Sequence, residues 1–140
     1  ITSSGSNSTA RSATITVGGV SDTFTVTTEA ASDSTPDAFS FTDVTGASST
    51  TVFTSTITLA GMNTSATATM SSTAVQAQFK VNSGSFGTGS QTVSVGDTIT
   101  AQVRSAAGSF QAQSIIITVG GVSDTFTVTT GSGGGDGGIE

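Results

Sequence analysis

The 140-residue chain carries nine Asp and Glu residues against three Lys and Arg residues, which gives a formal net charge of −6. This charge excludes the basic surface with which proteins bind nucleic acid, and it disfavours insertion into or binding to anionic membranes. The chain has no His and no Cys, so a Ser–His or Cys–His nucleophile cannot be built within it. Ser and Thr fill 53 positions, and runs of helix-favouring residues are missing. We therefore expect an all-β fold, because Thr suits strands.

The first predicted element is a β-hairpin over residues 15–28, whose sequence ITVGGVSDTFTVTT returns unchanged at residues 117–130. In both copies, apolar and polar residues alternate on either side of a Gly-Gly pair, which is typical of a hairpin with a tight turn. The offset between the copies is 117 − 15 = 102 residues. This spacing matches an immunoglobulin-like sandwich and indicates an array of domains rather than a short-period solenoid.

The offset divides the chain into three predicted parts. Residues 1–28 are expected to be the C-terminal hairpin of a preceding repeat, residues 29–130 a complete repeat, and residues 131–140 a Gly-rich linker or tail. A lone hairpin is marginally stable in water, so its apolar face needs a cover. We expect other copies of the chain, or neighbouring subunits of an assembly, to hold it through edge strands.

Five further strands are predicted within the complete repeat, because apolar and polar residues alternate with a period of two. They cover residues 38–44, 52–60, 67–70, 75–82 and 99–103. With the last hairpin they predict an immunoglobulin-like β-sandwich of about seven strands.

Side-chain positions follow from the same alternation. Val75 is assigned to the core face and Lys80 to the outer face of their strand. Turns are expected at residues 82–84 (Asn-Ser-Gly) and 95–97 (Val-Gly-Asp), because Gly, Asn, Ser and Asp favour turns. Most of the eight Phe residues are assigned to the core, and Phe86 and Phe110 are the two candidates for exposure in loops.

Acidic residues offer the only candidate metal site. Asp33, Asp37 and Asp43 lie near the predicted entry of the complete repeat. Calcium needs six to eight oxygen ligands at close spacing, and the sequence has no DxD or DxN run. We interpret these acids as turn and capping residues, and weak calcium binding is the alternative. No catalytic, cofactor-binding or metal residue is predicted, no cofactor is expected, and we do not expect an enzyme.

Four segments carry a resemblance to a known family. PDAFSFTD lies at residues 36–43, FKVNSGSF at 79–86 and VGDTITAQVRS at 95–105, and the hairpin GGVSDTFTVTT follows. In this order the chain resembles the tandem immunoglobulin-like repeat domains of large bacterial surface and secreted proteins, over about residues 36–130.

This resemblance implies a non-catalytic structural or adhesive module, a spacer or subunit of a surface filament, at an extracellular or cell-surface location. The alternative is a binding or decoration module, either glycan-binding or associated with a phage virion. In that alternative, loops carrying Phe86 or Phe110 would contact the ligand.

Overall fold

The computed structural model describes residues 1–132, and the chain divides into two compact units. Unit 1 is Ile1–Ser32 and unit 2 is Asp33–Glu140. Most of the predicted Gly-rich tail, residues 133–140, lies outside the described residues. The described residues form ten strands and no helix, which confirms the all-β prediction. Within these residues there is no helix of the length and apolar character needed to span a membrane.

Unit 1 is built on a two-stranded antiparallel hairpin, the N-terminal hairpin, with strands β1 (Ala10–Val17) and β2 (Val20–Thr27). Gly18 and Gly19 connect the strands with φ of +57° and +86°. A two-residue type I′ turn needs positive φ at both positions, and glycine adopts it without a steric penalty. Below the strands, the Ser8 N–H donates to the Glu29 carbonyl at 2.8 Å. The predicted first hairpin is thus confirmed.

Unit 2 contains eight strands. They are β3 (Val44–Ala47), β4 (Val52–Thr58), β5 (Ala66–Ser71), β6 (Gln78–Val81), β7 (Gln91–Val93), β8 (Thr98–Arg104), β9 (Ala112–Val119) and β10 (Val122–Thr130). One sheet has the order β3-β10-β9-β5-β7 and the other β4-β8-β6. Neighbouring strands are antiparallel, except that β3 pairs with β10 in parallel. Unit 2 is therefore a β-sandwich, as predicted.

The core lies between the two sheets, where β8 packs against β9 and β10. Period-two alternation turns one side of each of these strands inward. Phe79, Ile99, Ile117 and Phe126 have no exposed surface. Burial of side chains of this size contributes about 1.5–3 kcal/mol each to stability. Strands β9 and β10, which we name the closing hairpin, therefore supply a central part of this core.

The predicted strand over residues 38–44 is mostly wrong. Only Val44 belongs to a strand, β3, and residues 38–43 are irregular. The reason lies in the hydrogen bonds of the backbone. The Phe41 N–H donates to the Asp124 carboxylate at 2.8 Å, so a side chain of β10 takes the place of a ladder bond. The Phe41 side chain is nevertheless buried, as the alternation predicted.

The predicted strand over residues 75–82 is shorter than expected. Val75, assigned to the core, is 65% exposed. Gln76 has a left-handed φ of +53°, which interrupts the extended backbone and with it the alternation of faces. Strand β6 therefore begins only at Gln78, and Phe79 keeps its predicted buried position. Strand β7 was not predicted.

Candidate functional site

The N-terminal hairpin carries an exposed apolar face. Four of its large apolar side chains are between 62% and 77% exposed: Ile15, Val17, Val20 and Phe24. They share one face because the register pairs Val17 with Val20 and Ala13 with Phe24. Asp22 and Arg11 lie on the same face, opposite Ile15 and Val26, so the apolar surface also carries two charges. Exposed apolar surface bordered by polar residues marks candidate sites of interaction. This face is the first of two candidate sites within residues 1–132.

The opposite face of the N-terminal hairpin is a ladder of hydroxyl groups. Three cross-strand pairs are hydrogen-bonded, at 2.6 to 2.9 Å: Ser12–Thr25, Thr14–Thr23 and Thr16–Ser21. Cross-strand pairs of this kind stabilise a sheet modestly. The closing hairpin has the same pairs at Ser114–Thr127 and Thr118–Ser123. The two hairpins therefore have the same local structure.

The closing hairpin buries three of the four apolar residues that the N-terminal hairpin exposes, and the fourth, Val122, is half-buried. Ile117, Val119 and Phe126 have no exposed surface, and they are the equivalents of Ile15, Val17 and Phe24. The polar contacts differ in the same way. Asp124 accepts the Phe41 N–H, whereas Asp22, its equivalent, has no side-chain hydrogen bond within residues 1–132.

A small open pocket is the second candidate site. It has a volume of about 280 Å³ and lies between the end of β8 and the start of β9. Its lining includes Arg104, Gln111, Gln113 and Val75. The Arg104 guanidinium donates one hydrogen bond to the side chain of Gln76 at 3.1 Å, and it has five N–H groups in all. The pocket therefore combines apolar side chains with a few hydrogen-bonding groups at its edge.

Phe110 lies in the loop between β8 and β9, one residue before Gln111, which lines the pocket. Its side chain is 73% exposed, which confirms the predicted exposure. Its backbone φ of +55° lies in the left-handed region, where bulky residues are strained. Such strain persists only where the surrounding structure holds the backbone, and it is concentrated at binding sites.

Phe86, the other candidate for exposure, is half-buried. The Lys80 ammonium lies 5.1 Å from the centroid of its ring, in a cation–π contact. One face of Phe86 is thereby occupied, and Lys80 lies at the surface as predicted.

The three acids considered for calcium have separate local roles. Asp33 accepts a hydrogen bond from the backbone two residues further on, and Asp43 accepts the Thr127 N–H, both at 2.9 Å. Asp37 packs its carboxylate against Gly61. Within residues 1–132 the structure contains no cluster of three or more potential ligands that could hold a metal ion.

Asp97 connects two turns of unit 2, both of which were predicted. Its carboxylate accepts hydrogen bonds from the Asn82 side chain at 3.0 Å and from the Ser94 N–H at 2.8 Å. These bonds, the one from Asn82 first, favour the ionised form and lower the pKa of Asp97 below its usual value.

The sequence pointed to the exposed hairpin face and to Phe110, but it gave no signal for the pocket. The pocket brings together residues near positions 50, 75, 104 and 111, and only the fold places them side by side. A comparison of the chain with protein-family models, curated proteins and solved structures found no match.

Proposed function

We propose that the chain is a non-catalytic structural module of an extracellular assembly, a spacer or adhesive repeat of a cell-surface filament. One observation carries this proposal. The same fourteen residues form a hairpin twice, once closing a complete sandwich and once with the apolar face exposed. Near-identical units at a fixed offset are the building principle of domain arrays. In such an array, residues 1–28 are the last hairpin of a neighbouring repeat.

The strand order supports an immunoglobulin-like sandwich. Strands β10-β9-β5 follow the order G-F-C of that fold, and strands β4-β8-β6 follow the order B-E-D. Domains of this kind act as rigid spacers, and about 100 residues suffice for a core without disulfides. The Ser- and Thr-rich composition with few charged residues supports an extracellular location, and a virion is the alternative.

Immunogold labelling tests the proposed assembly. Antibodies against unit 2 are applied to intact cells and particles of the source, which are then imaged in negative stain. We expect gold on filaments, on a surface lattice or on the outside of particles. Label confined to the cell interior would overturn the proposal. Turnover of glycoside, peptide or ester substrates that follows the chain through purification would overturn its non-catalytic part.

Phe110 and its neighbouring pocket favour a second candidate, a glycan-binding module. An exposed aromatic ring can stack on a sugar, and the guanidinium and amide groups of the pocket can donate hydrogen bonds to its hydroxyls. A glycan array tests this candidate with the wild-type chain, Phe110→Ala and Arg104→Ala. The matched control is Phe24→Ala, which removes another exposed ring, from unit 1. Binding that is lost in the first two variants and kept in the control supports the candidate, and absence of wild-type binding rejects it.

A further inference from the structure

We propose that the N-terminal hairpin docks into an open copy of the unit 2 sandwich, in which strands equivalent to β3–β8 are present and the place of the closing hairpin is empty. The partner is the neighbouring repeat of the array, a copy outside residues 1–140. This inference rests on the proposed array and deepens it, because it names the surface and the partner through which neighbours join.

The closing hairpin shows what such a place offers to a hairpin of this sequence. Strand β3 pairs with β10 through Val44 and Val128, and β5 pairs with β9 through Met70 and Ile117. The second sheet covers the apolar face. The N-terminal hairpin has both strand edges and the same apolar face, in the same register and with the same turn. Each apolar side chain within residues 15–28 therefore has a defined position, namely the one that its equivalent in the closing hairpin occupies in unit 2.

The polar contacts of the place also have their counterparts. In unit 2, Asp124 accepts the Phe41 N–H and the Thr127 N–H donates to Asp43. The N-terminal hairpin has Asp22 and Thr25 at the equivalent positions. Docking would give both groups the same partners on the neighbouring repeat. Docking would thus form directional hydrogen bonds as well as apolar contacts.

One buried position differs between the two hairpins. Ala13 stands where the closing hairpin has Ile115, which has no exposed surface. In the place of the closing hairpin, Ala13 would leave part of the core empty, and a cavity in a core is destabilising. The N-terminal hairpin therefore does not displace the closing hairpin from a complete unit 2. Its partner must be open, and there a larger side chain has to fill the volume opposite Ala13.

The length of the connecting chain excludes docking onto the same unit 2. A docked hairpin would place Thr28 where Thr130 lies, paired with Ala47 at one end of β10. Ser34 lies against Gly120, at the other end of the strand. Ten residues of strand span about 33 Å, whereas the six residues from 28 to 34 reach only about 21 Å. The N-terminal hairpin can therefore close a neighbouring repeat but not its own unit 2.

A cross-linking experiment with two forms of the 140-residue chain tests the docking. The acceptor carries Ile117→Asp and Phe126→Asp, which put charges at fully buried positions and so empty the place of the closing hairpin. It also carries Val44→Cys. The donor has an intact unit 2 and carries Val26→Cys. The two forms are refolded together from denaturant and then oxidised.

We expect a disulfide between donor and acceptor. Val26 is the equivalent of Val128, which pairs with Val44, and Cα atoms of paired residues lie at about 5 Å, within the range of a disulfide. The sequence itself has no Cys, so the two introduced thiols are the only ones present, and the donor–acceptor dimer is measured apart from donor–donor and acceptor–acceptor dimers. Adding Ala13→Ile to the donor restores the missing side chain, and it should strengthen the association about tenfold or more.

Two donors serve as matched controls. One adds Phe24→Asp, which should abolish the cross-link, and the other carries Ser12→Cys on the hydroxyl face in place of Val26→Cys, which reports chance collisions. If all three donors carry Ala13→Ile and give the same yield of donor–acceptor disulfide, the proposal is overturned. If the acceptor precipitates alone, the donor should keep it soluble, and precipitation in the presence of the Ala13→Ile donor would also overturn it. The immunogold result is independent of the cross-link, so the two proposals can fail separately.

Discussion

The two hairpins are one sequence in two surroundings. Their turns agree closely, with φ of +57° at Gly18 and +54° at Gly120. Their burial differs completely, since Phe24 is 62% exposed and Phe126 has no exposed surface. The fourteen shared residues thus determine the shape of the hairpin, while burial depends on strands elsewhere in the chain. Substitutions at equivalent positions separate the two contributions.

The largest difference is expected at the buried ring. Phe126→Ala should lower the free energy of unfolding of unit 2 by about 3–5 kcal/mol, because it removes core contacts and leaves a cavity. Phe24→Ala, the same change on an exposed face, should alter it by less than about 0.5 kcal/mol. Urea unfolding followed by the NMR signals of β9 measures both. Similar effects of the two substitutions would mean that Phe24 is buried in solution.

The first turn glycine gives the next difference. Ala at Gly18 or Gly120 must adopt the same left-handed φ, so that penalty is shared. A methyl group at Gly120 would in addition overlap the Ser34 carbonyl oxygen, whereas nothing lies within 4 Å of one at Gly18. Gly120→Ala should therefore destabilise unit 2 by about 1–3 kcal/mol through overpacking alone. A midpoint of urea unfolding unchanged from wild type would contradict this.

The aspartates at the equivalent positions 22 and 124 form a third pair. Asp124→Ala leaves the Phe41 N–H without its acceptor, which should destabilise unit 2 by about 1–3 kcal/mol. Asp22→Ala removes no hydrogen bond within the described residues and should leave unit 2 unchanged. Hydrogen exchange offers a direct measurement, because the Phe41 amide should lose its protection only in Asp124→Ala. Protection that survives in Asp124→Ala would show that another group accepts this N–H.

The smallest effect concerns Asp97, which has no counterpart in unit 1 and tests unit 2 alone. Its pKa is lower in the folded chain than in the unfolded one, so its contribution to stability is complete above the unfolded pKa of about 4 and is lost as the pH falls below it. Asp97→Asn should lower the urea midpoint at pH 7 and have a smaller effect at pH 3. An equal effect at both pH values would show that the ionised carboxylate is not what stabilises the two turns.

Local patterns predicted the parts of the fold that local physics determines. The Gly-Gly turns and the alternation in β4, β5 and β8 gave correct strands, because period two and turn chemistry act within a few residues. The strand predicted over residues 38–43 was wrong because the backbone N–H of Phe41 donates to Asp124, far away in the sequence. The exposure of Val75 was missed because the left-handed Gln76 leaves no signature in the sequence. The pocket around Arg104 could not be predicted from local patterns either, because residues that are distant in the sequence form it.

The parallel pairing of β3 with β10 has a mechanical consequence. These are the first and last strands of unit 2, so a pull on the two ends of the unit draws them in opposite directions along their common axis. The bonds from Phe41 to Asp124 and from Thr127 to Asp43 cross between the same two segments. A tensile force would therefore shear these bonds together rather than open them one after another. A link of this geometry holds its length under load until it yields as a whole.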